Sequence, residues 1–233
     1  MTLGSDLRDS VQTIFRDRWS EVDARIVPET KSIGYGNVGK KLDATILYAD
    51  IDGSTNLVDQ YGAHFCAEVC KAYLRVCAKI IRYHGGEIRA FDGDRIMAVY
   101  FGITPNSDAV KSALKINWAV RNIINPAIAN QYSSVPYRLK QNCGIDTSTM
   151  LAVRAGIRDN SDLVWVGTAA NHAAKLNNLS SEFATWITDR VFDRLADDAK
   201  FGGSPRRLMW EKRSWTAMNG ATIYCSDWTW SFQ

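Results

Sequence analysis

Residues 42–55, LDATILYADIDGST, constrain this chain more than any other stretch. They alternate as a strand does, with Ala44, Ile46, Tyr48 and Asp50 on one face and Thr45, Leu47, Ala49 and Ile51 on the other. The pattern stops at a small polar turn, Asp52-Gly53-Ser54-Thr55, and a helical pattern begins. Asp50 therefore falls at the carboxyl end of a largely apolar strand. A carboxylate there is costly unless it is paired or holds a cation. The turn presents backbone N–H groups at a helix start, which suits phosphate. A hard cation bound by carboxylate and substrate phosphates uses both features. Capping of the helix by Asp50 and Asp52 is the plain alternative.

Residues 84–102 read HGGEIRAFDGDRIMAVYFG. Residues 87–91 and 95–101 read as two strands joined by Asp92-Gly93-Asp94, a tight hairpin signal. The turn carries a second carboxylate, Asp94, to a hairpin tip. Taken alone, an Asp-Gly pair in a hairpin marks only a turn.

The 233 residues suit one domain with an extension, and a hydrophobic content of 46% is ample for a core. A net charge of +3 gives no argument for nucleic acid. No apolar run is long enough to span a bilayer, and residues 1–19 lack a signal-peptide pattern, so the expectation is a cytoplasmic protein with no membrane partner. Cys66, Cys70, Cys77, Cys143 and Cys225 form no Cys-x-x-Cys pair. They read as small buried hydrophobes in a reducing compartment, and no ligand spacing supports zinc.

Residues 5–26 read as an amphipathic helix, with Leu7, Val11, Ile14, Phe15, Trp19, Val22 and Ile26 at spacings of three and four, ended by Pro28. Its apolar face packs either on its own domain or on a second subunit. Residues 31–41 read as a glycine-bearing linker. The expected division is an N-terminal helix and linker over 1–40 and a catalytic domain over 41–233. Residues 56–83 are a long helical pattern with a break near Tyr61-Gly62, and residues 106–124 or beyond a further helix, with Pro126 expected to break it near its end. Residues 137–145 and 149–155 read as a second hairpin. Residues 163–166 and 185–188 read as short strands, 169–178 and 189–196 as helices, and two short strands at 208–210 and 222–225 close the chain. Strands and helices alternating with antiparallel hairpins predict an α+β fold with helices against one mixed, mainly antiparallel sheet.

Taken together, DIDGST, HGG and GDRIMAVYFG in this order resemble the class III nucleotide cyclases, which convert a nucleoside triphosphate to a 3′,5′-cyclic monophosphate and pyrophosphate. A third segment, from Val166 to Leu176, is similar to that family's Gly-x-x-x-Asn-x-Ala-Ala-Arg-Leu helix. The resemblance runs over about residues 42–179. It implies a ferredoxin-like cyclase core and a homodimer whose sites are shared. By resemblance Asp50, Asp94 and the carbonyl of Ile51 hold two Mg2+ or Mn2+ ions per site. The N–H groups of Asp52, Gly53, Ser54 and Thr55 would then cradle the β- and γ-phosphates. Asn171 orients the ribose, and Lys175 stands where the family usually has a phosphate-contacting Arg. Lysine is a point charge without the bidentate fork, so altered but retained catalysis is expected. The plain alternative for that residue is a solvated lysine on an alanine-rich helix. The family's second phosphate-binding lysine has no clean match. Arg206, Arg207, Lys212 and Arg213 are all candidates.

Purine cyclases of this pattern carry a base-reading Lys or Glu where this chain has Ala90, and a second selector where it has Val164. A site that reads a base needs polar partners for its edge. Tyr48, on the Asp50 face, stands where the family usually has Phe, and a phenol can bond the edge of a smaller base. Arg89 is next to Ala90, but alternation points it away. This combination is similar to the pyrimidine cyclases of the bacterial anti-phage systems called Pycsar. That resemblance implies a uridylate or cytidylate cyclase, with UTP the preferred substrate, whose product activates a separate effector. The alternatives are an adenylate or guanylate cyclase with unusual base contacts, and an inactive nucleotide-binding dimerisation module.

Overall fold

The computed structural model describes residues 2–179 and 182–232. Its main elements in chain order are α1 (Leu3–Arg16), β1 (Ser20–Asp23), β2 (Val38–Ile51), α2 (Ala63–Tyr83), β3 (Glu87–Asp92), β4 (Arg95–Tyr100), α3 (Pro105–Ala119), β5 (Gln141–Ile157), β6 (Asn160–Val166), α4 (Thr168–Asn177), β7 (Thr185–Thr188), β8 (Glu211–Trp215) and β9 (Ala221–Ser226). They divide into two compact units, Met1–Asp43 with Thr149–Gly167, and Ala44–Ser148 with Thr168–Gln233.

The larger unit has the expected α+β build. Its strands lie in the order β8-β9-β7-β5-β2-β4-β3. β2 with β4, β3 with β4, β7 with β9 and β8 with β9 pair antiparallel, while β5 with β7 runs parallel. The alternation in β2 decides what each face covers. Leu47, Ala49 and Ile51 join Ile96 and Ala98 of β4 and Phe65, Val69, Tyr73, Cys77 and Ile81 of α2 in one core. Each such aliphatic side chain contributes about 1.5–3 kcal/mol by leaving water. The opposite face of β2 carries Tyr48 and Asp50, both partly exposed. Gly62 separates a short helix, Leu57–Tyr61, from α2, at the expected break. The cysteines are free thiols, Cys70 partly and the others fully buried, and burial pushes the Cys77 thiol up to about 12, where it is inert.

Several expectations for the larger unit change, and the closing strand expected at residues 208–210 forms at Glu211–Trp215 instead. The turn expected after residue 145 does not form, and β5 continues through it. Its polar residues are instead buried partners: Asp146 is wholly enclosed by ion pairs, and Thr147 Oγ1 donates to the Ala44 carbonyl at 3.2 Å. Polar residues read as a turn when their buried partners are distant in sequence. The helix before Pro126 also does not stop there. A wider turn at Val120–Ile124 joins α3 to a further helix, Asn125–Gln131, with Pro126 in its first turn, where a missing N–H costs little.

In the smaller unit, α1 is capped by Thr2 and Ser5, and ends at Arg16 rather than running to Ile26. The Asn37 side chain donates to the carbonyls of Ile14 and Asp17, both at 2.7 Å, and closes that end. Ser20–Asp23 then leave the helix to pair parallel with the start of β2, Val22 opposite Lys40. The end of β5 pairs antiparallel with β6. Leu7, Val11, Ile14 and Phe15 of α1 are exposed. No helix among the described residues is long and apolar enough to cross a membrane.

Candidate active site

The site starts where β2 ends. Tyr48 lies opposite Met97, and Met97 lies opposite Ala90, so the three share one row and one face. Ile88 pairs with Ala98 and Ala90 with Met97, which makes Arg89 the extra residue of a bulge. Plain alternation is broken there. The Arg89 guanidinium lies 3.6 Å from Glu87 and donates to the Ile88 carbonyl at 3.1 Å.

Asp50 and Asp94 meet at this edge. Burial pushes the Asp50 carboxyl up to about 7, and Asp94 adds to it by charge and by a hydrogen-bonding approach. Arg95 and the Ile51 N–H, which donates to Asp50 Oδ1 at 3.1 Å, pull the other way. Oδ2 of Asp94 is buried without a hydrogen-bond partner among the described residues. Two facing carboxylates with an orphaned oxygen favour a shared proton or a cation between them. From below, the buried Tyr73 hydroxyl donates to the Asp50 carbonyl at 3.3 Å, a support that its position on a helix gave no sequence signal for.

The turn after Asp50 works because Gly53 adopts φ 71°, the left-handed region that glycine enters without steric cost. The N–H of Asp52, expected to face phosphate, donates instead to the Lys140 carbonyl at 2.9 Å. The turn forms one wall of a cleft of about 260 Å³, lined by Asp50, Ile51, Asp52, Gly53, Ser54 and Thr55 and, across from them, by Asn142, Asn177, Asn178 and Leu179. Asn142 and Asn177 are buried, and neither was found from the sequence.

Asn171 and Lys175 do not line that cleft. Both are exposed on α4, one turn apart, and among the described residues Lys175 Nζ has only the Met218 sulfur, at 3.9 Å. The position of α4 is fixed from beneath. A Cβ on Gly144 of β5 would stand 2.1 Å from the Ala173 carbonyl oxygen and 2.5 Å from the Asn177 nitrogen, so helix and strand backbones touch there. The Ser148 hydroxyl accepts from the Ala169 N–H at 3.1 Å and caps the helix. Asp146, with no side-chain exposure, takes a two-pronged bond from Arg190, Nε at 2.7 Å, and accepts from Thr188 Oγ1 at 2.5 Å. His172 Nδ1 lies 3.0 Å from the same carboxylate, and Arg190 also donates to Thr168 Oγ1 at 2.9 Å. The Asp146 bond raises the Arg190 pKa further above its ordinary value.

The remaining expected residues are placed as follows. Val164 is on β6, in the smaller unit, and is exposed. Arg206 pairs with Asp197 at 2.8 Å, Arg207 stacks on Trp228 at 4.9 Å, and Arg213 pairs with Glu211 at 2.7 Å. None of these, nor Lys212, lines the cleft. Among the described residues no cluster of three or more His, Cys, Asp or Glu forms a metal site by itself.

Comparison with known proteins follows the same lines. No protein-family model matches the chain. It is 43% identical over 231 residues to a uridylate cyclase of Xanthomonas perforans, covering 99% of both chains. It is 42% identical over 233 residues to a uridylate cyclase of Burkholderia cepacia, covering 99% of this chain and all of that one (100%). Among solved structures, the guanylyl cyclase Cya2 superposes with a TM-score of 0.68 at 18% identity, over 83% of this chain and 95% of that one, a likeness of fold.

Proposed function

This chain belongs to the uridylate cyclases, pyrimidine nucleotide cyclases of class III fold, and on that premise we propose how its own residues turn UTP into cyclic UMP and pyrophosphate. The observation that carries the site assignment is the Asp50–Asp94 pair. Their close approach, the Asp50 carboxyl pushed up to about 7 and the Asp94 oxygen buried without a hydrogen-bond partner among the described residues suit a hard cation held between them. Asp50, Asp94 and the Ile51 carbonyl are the residues that would hold Mg2+ or Mn2+, since an all-oxygen donor set suits hard cations. Bound there, two such ions would supply charge to activate the ribose 3′-oxygen and to stabilise the leaving pyrophosphate.

The protein's own part is positioning. Cyclisation requires the 3′-oxygen to attack the α-phosphorus in line with the departing pyrophosphate, and little covalent chemistry falls to side chains. The N–H groups of Gly53, Ser54 and Thr55 face the phosphate tail across the polar cleft, while Asp52 keeps the turn tied to Lys140. Tyr48, two residues before Asp50 on the same face, meets the base, with Ala90 leaving space on its row. Asn171 holds the ribose, and Lys175 places its charge on the phosphate in the transition state.

Asn171 and Lys175 are exposed and stand outside the cleft of their own chain, which supports sites completed by a second copy. A symmetric dimer would then carry two complete sites. The similarity of the base-facing residues to the Pycsar cyclases supports a further role for the product as a messenger in anti-phage defence, acting on a separate effector.

The test is complementation. Asp94→Asn and Lys175→Ala proteins should each be inactive alone. Random mixing should restore activity, because about a quarter of all sites then carry neither lesion. No recovery, with subunit exchange verified, contradicts the shared site. Near-wild-type turnover by Asp94→Asn alone contradicts the carboxylate assignment.

A further inference from the structure

We propose that Arg95 reads the base: its guanidinium donates to O4 of the pyrimidine ring and sets a preference for UTP over CTP. This rests on the cyclase reading above and adds a residue to it.

Arg95 opens β4, two residues before Met97, so it lies on the same sheet face as Met97, Tyr48 and Asp50. Its guanidinium carbon stands 5.4 Å from the centre of the Tyr48 ring. One terminal nitrogen donates to Asp92 Oδ2 at 2.8 Å across the hairpin. The group is thus held in plane by an ion pair on one side and a ring beneath it, which removes much of the entropy cost of binding with it. Its Nε–H is buried and has no acceptor among the described residues. A buried donor without an acceptor is an uncommon and costly feature, and it points to a missing partner. The ion pair with Asp92 accounts for the charge of Arg95. It does not account for the direction of Nε–H.

The missing partner is an acceptor, because a guanidinium has only donors. Uracil offers carbonyl oxygens at positions 2 and 4 and an N–H between them. Cytosine keeps O2 but replaces O4 with an amino group. A donor placed at position 4 gains a bond from uracil. With cytosine it meets another donor, and both groups go unpaired. Tyr48, whose hydroxyl donates or accepts, bonds either base and cannot make this distinction alone. Ala90, opposite Met97 on the same row, carries only a methyl group and offers no competing acceptor.

The experiment uses the purified full chain as wild type, Arg95→Gln, Arg95→Lys and Asp92→Asn. Steady-state cyclisation of UTP and CTP is measured with manganese, and binding of 3′-deoxy-UTP and 3′-deoxy-CTP, which cannot cyclise, is measured by calorimetry. Loss of a charge-assisted hydrogen bond corresponds to roughly 10- to 100-fold in affinity. Arg95→Gln should lose that factor in kcat/KM for UTP, mostly in KM, and at most about threefold for CTP. Binding of 3′-deoxy-UTP should weaken by the same factor as kcat/KM. Arg95→Lys should fall in between, and Asp92→Asn, which loosens the guanidinium but keeps its donors, should lower the UTP-to-CTP ratio by less than Arg95→Gln does. Should Arg95→Gln fail to fold, Arg95→Lys decides.

A ratio unchanged in both Arg95 variants overturns the proposal. So does a wild type that prefers CTP. A wild type that cyclises no triphosphate strikes the cyclase reading instead, so the two failures are distinguishable.

Discussion

Gly144→Ala is the perturbation that most directly tests how this fold holds α4, the helix proposed to carry Asn171 and Lys175 into the site. The new methyl would sit 2.1 Å from the Ala173 carbonyl oxygen and 2.5 Å from the Asn177 nitrogen, both backbone atoms of α4. Backbone cannot rotate aside as a side chain can. Relief to an ordinary contact requires helix and strand to separate by about 1 Å, and overpacking of this kind costs about 1–3 kcal/mol. For a chain of this size that is roughly a 2–12 °C drop in melting temperature, since each kcal/mol shifts it by about 2–4 °C. The same separation moves Asn171 and Lys175, which α4 carries. Misplacement of a catalytic group by about 1 Å can cost about 100-fold in turnover. The assay pairs a thermal melt with UTP turnover measured well below the melt. Gly4→Ala is the control, because a Cβ there meets nothing within 4 Å. It should leave both readouts near wild type. A Gly144→Ala protein that melts within 1 °C of wild type (far less than an overpacked backbone contact costs) would refute the close-approach argument. One that melts lower but turns over normally would refute the placement of α4 in the site.

Three further outcomes follow from named contacts. Asp50 has a folded pKa of about 7 against an ordinary 3.8, so between those values the folded state holds a proton that the unfolded chain has released. Its stabilising effect is full below about pH 4 and is lost as pH rises through about 7. Melting of the metal-free protein should therefore weaken from pH 5 to pH 8, with Asp50→Asn flattening that slope and manganese restoring stability at pH 8; equal slopes in the two proteins contradict this. Asp146→Asn leaves Arg190 facing an uncharged, enclosed amide and should cost about 3–5 kcal/mol in denaturant unfolding, a loss below about 1 kcal/mol being inconsistent with a buried ion pair. Tyr48→Phe should reduce selectivity for UTP over ATP by roughly three- to tenfold while leaving turnover in place, because one neutral hydrogen bond contributes about 0.5–1.5 kcal/mol; an unchanged ratio removes the phenol from base reading.

The residues that the sequence exposes most clearly are those with short-range signals. The faces of β2, the Asp92-Gly93-Asp94 turn and the break at Gly62 were all readable, because period-two alternation and glycine turns are local properties. Asp50 stood out for the same reason, since a carboxylate ending an apolar strand is a local anomaly, whereas Asp94 read alone as a turn residue and was set beside it only by the family resemblance. What escaped notice depends on partners far along the chain. Asp146 and Ser148 look like turn residues until Arg190, Thr188 and Ala169 are brought against them. Tyr73 reads as one more aromatic on a helix, and its bond to the Asp50 carbonyl spans 23 residues. The bulge at Arg89 arises from register between β3 and β4, which alternation within one strand cannot predict. The smaller unit was the least legible part. A helical stripe of apolar residues continued past Arg16 into residues that pair as a strand instead.

The measurement closest to the central claim is cyclisation by the purified full chain given UTP, CTP, ATP and GTP separately with manganese, with cyclic nucleotide and pyrophosphate both quantified. The account predicts cyclic UMP and pyrophosphate in equal amounts, formed faster from UTP than from the other three, and no product from Asp50→Asn or Asp94→Asn. Faster cyclisation of ATP or GTP than of either pyrimidine, or undiminished product from either aspartate variant, would contradict it.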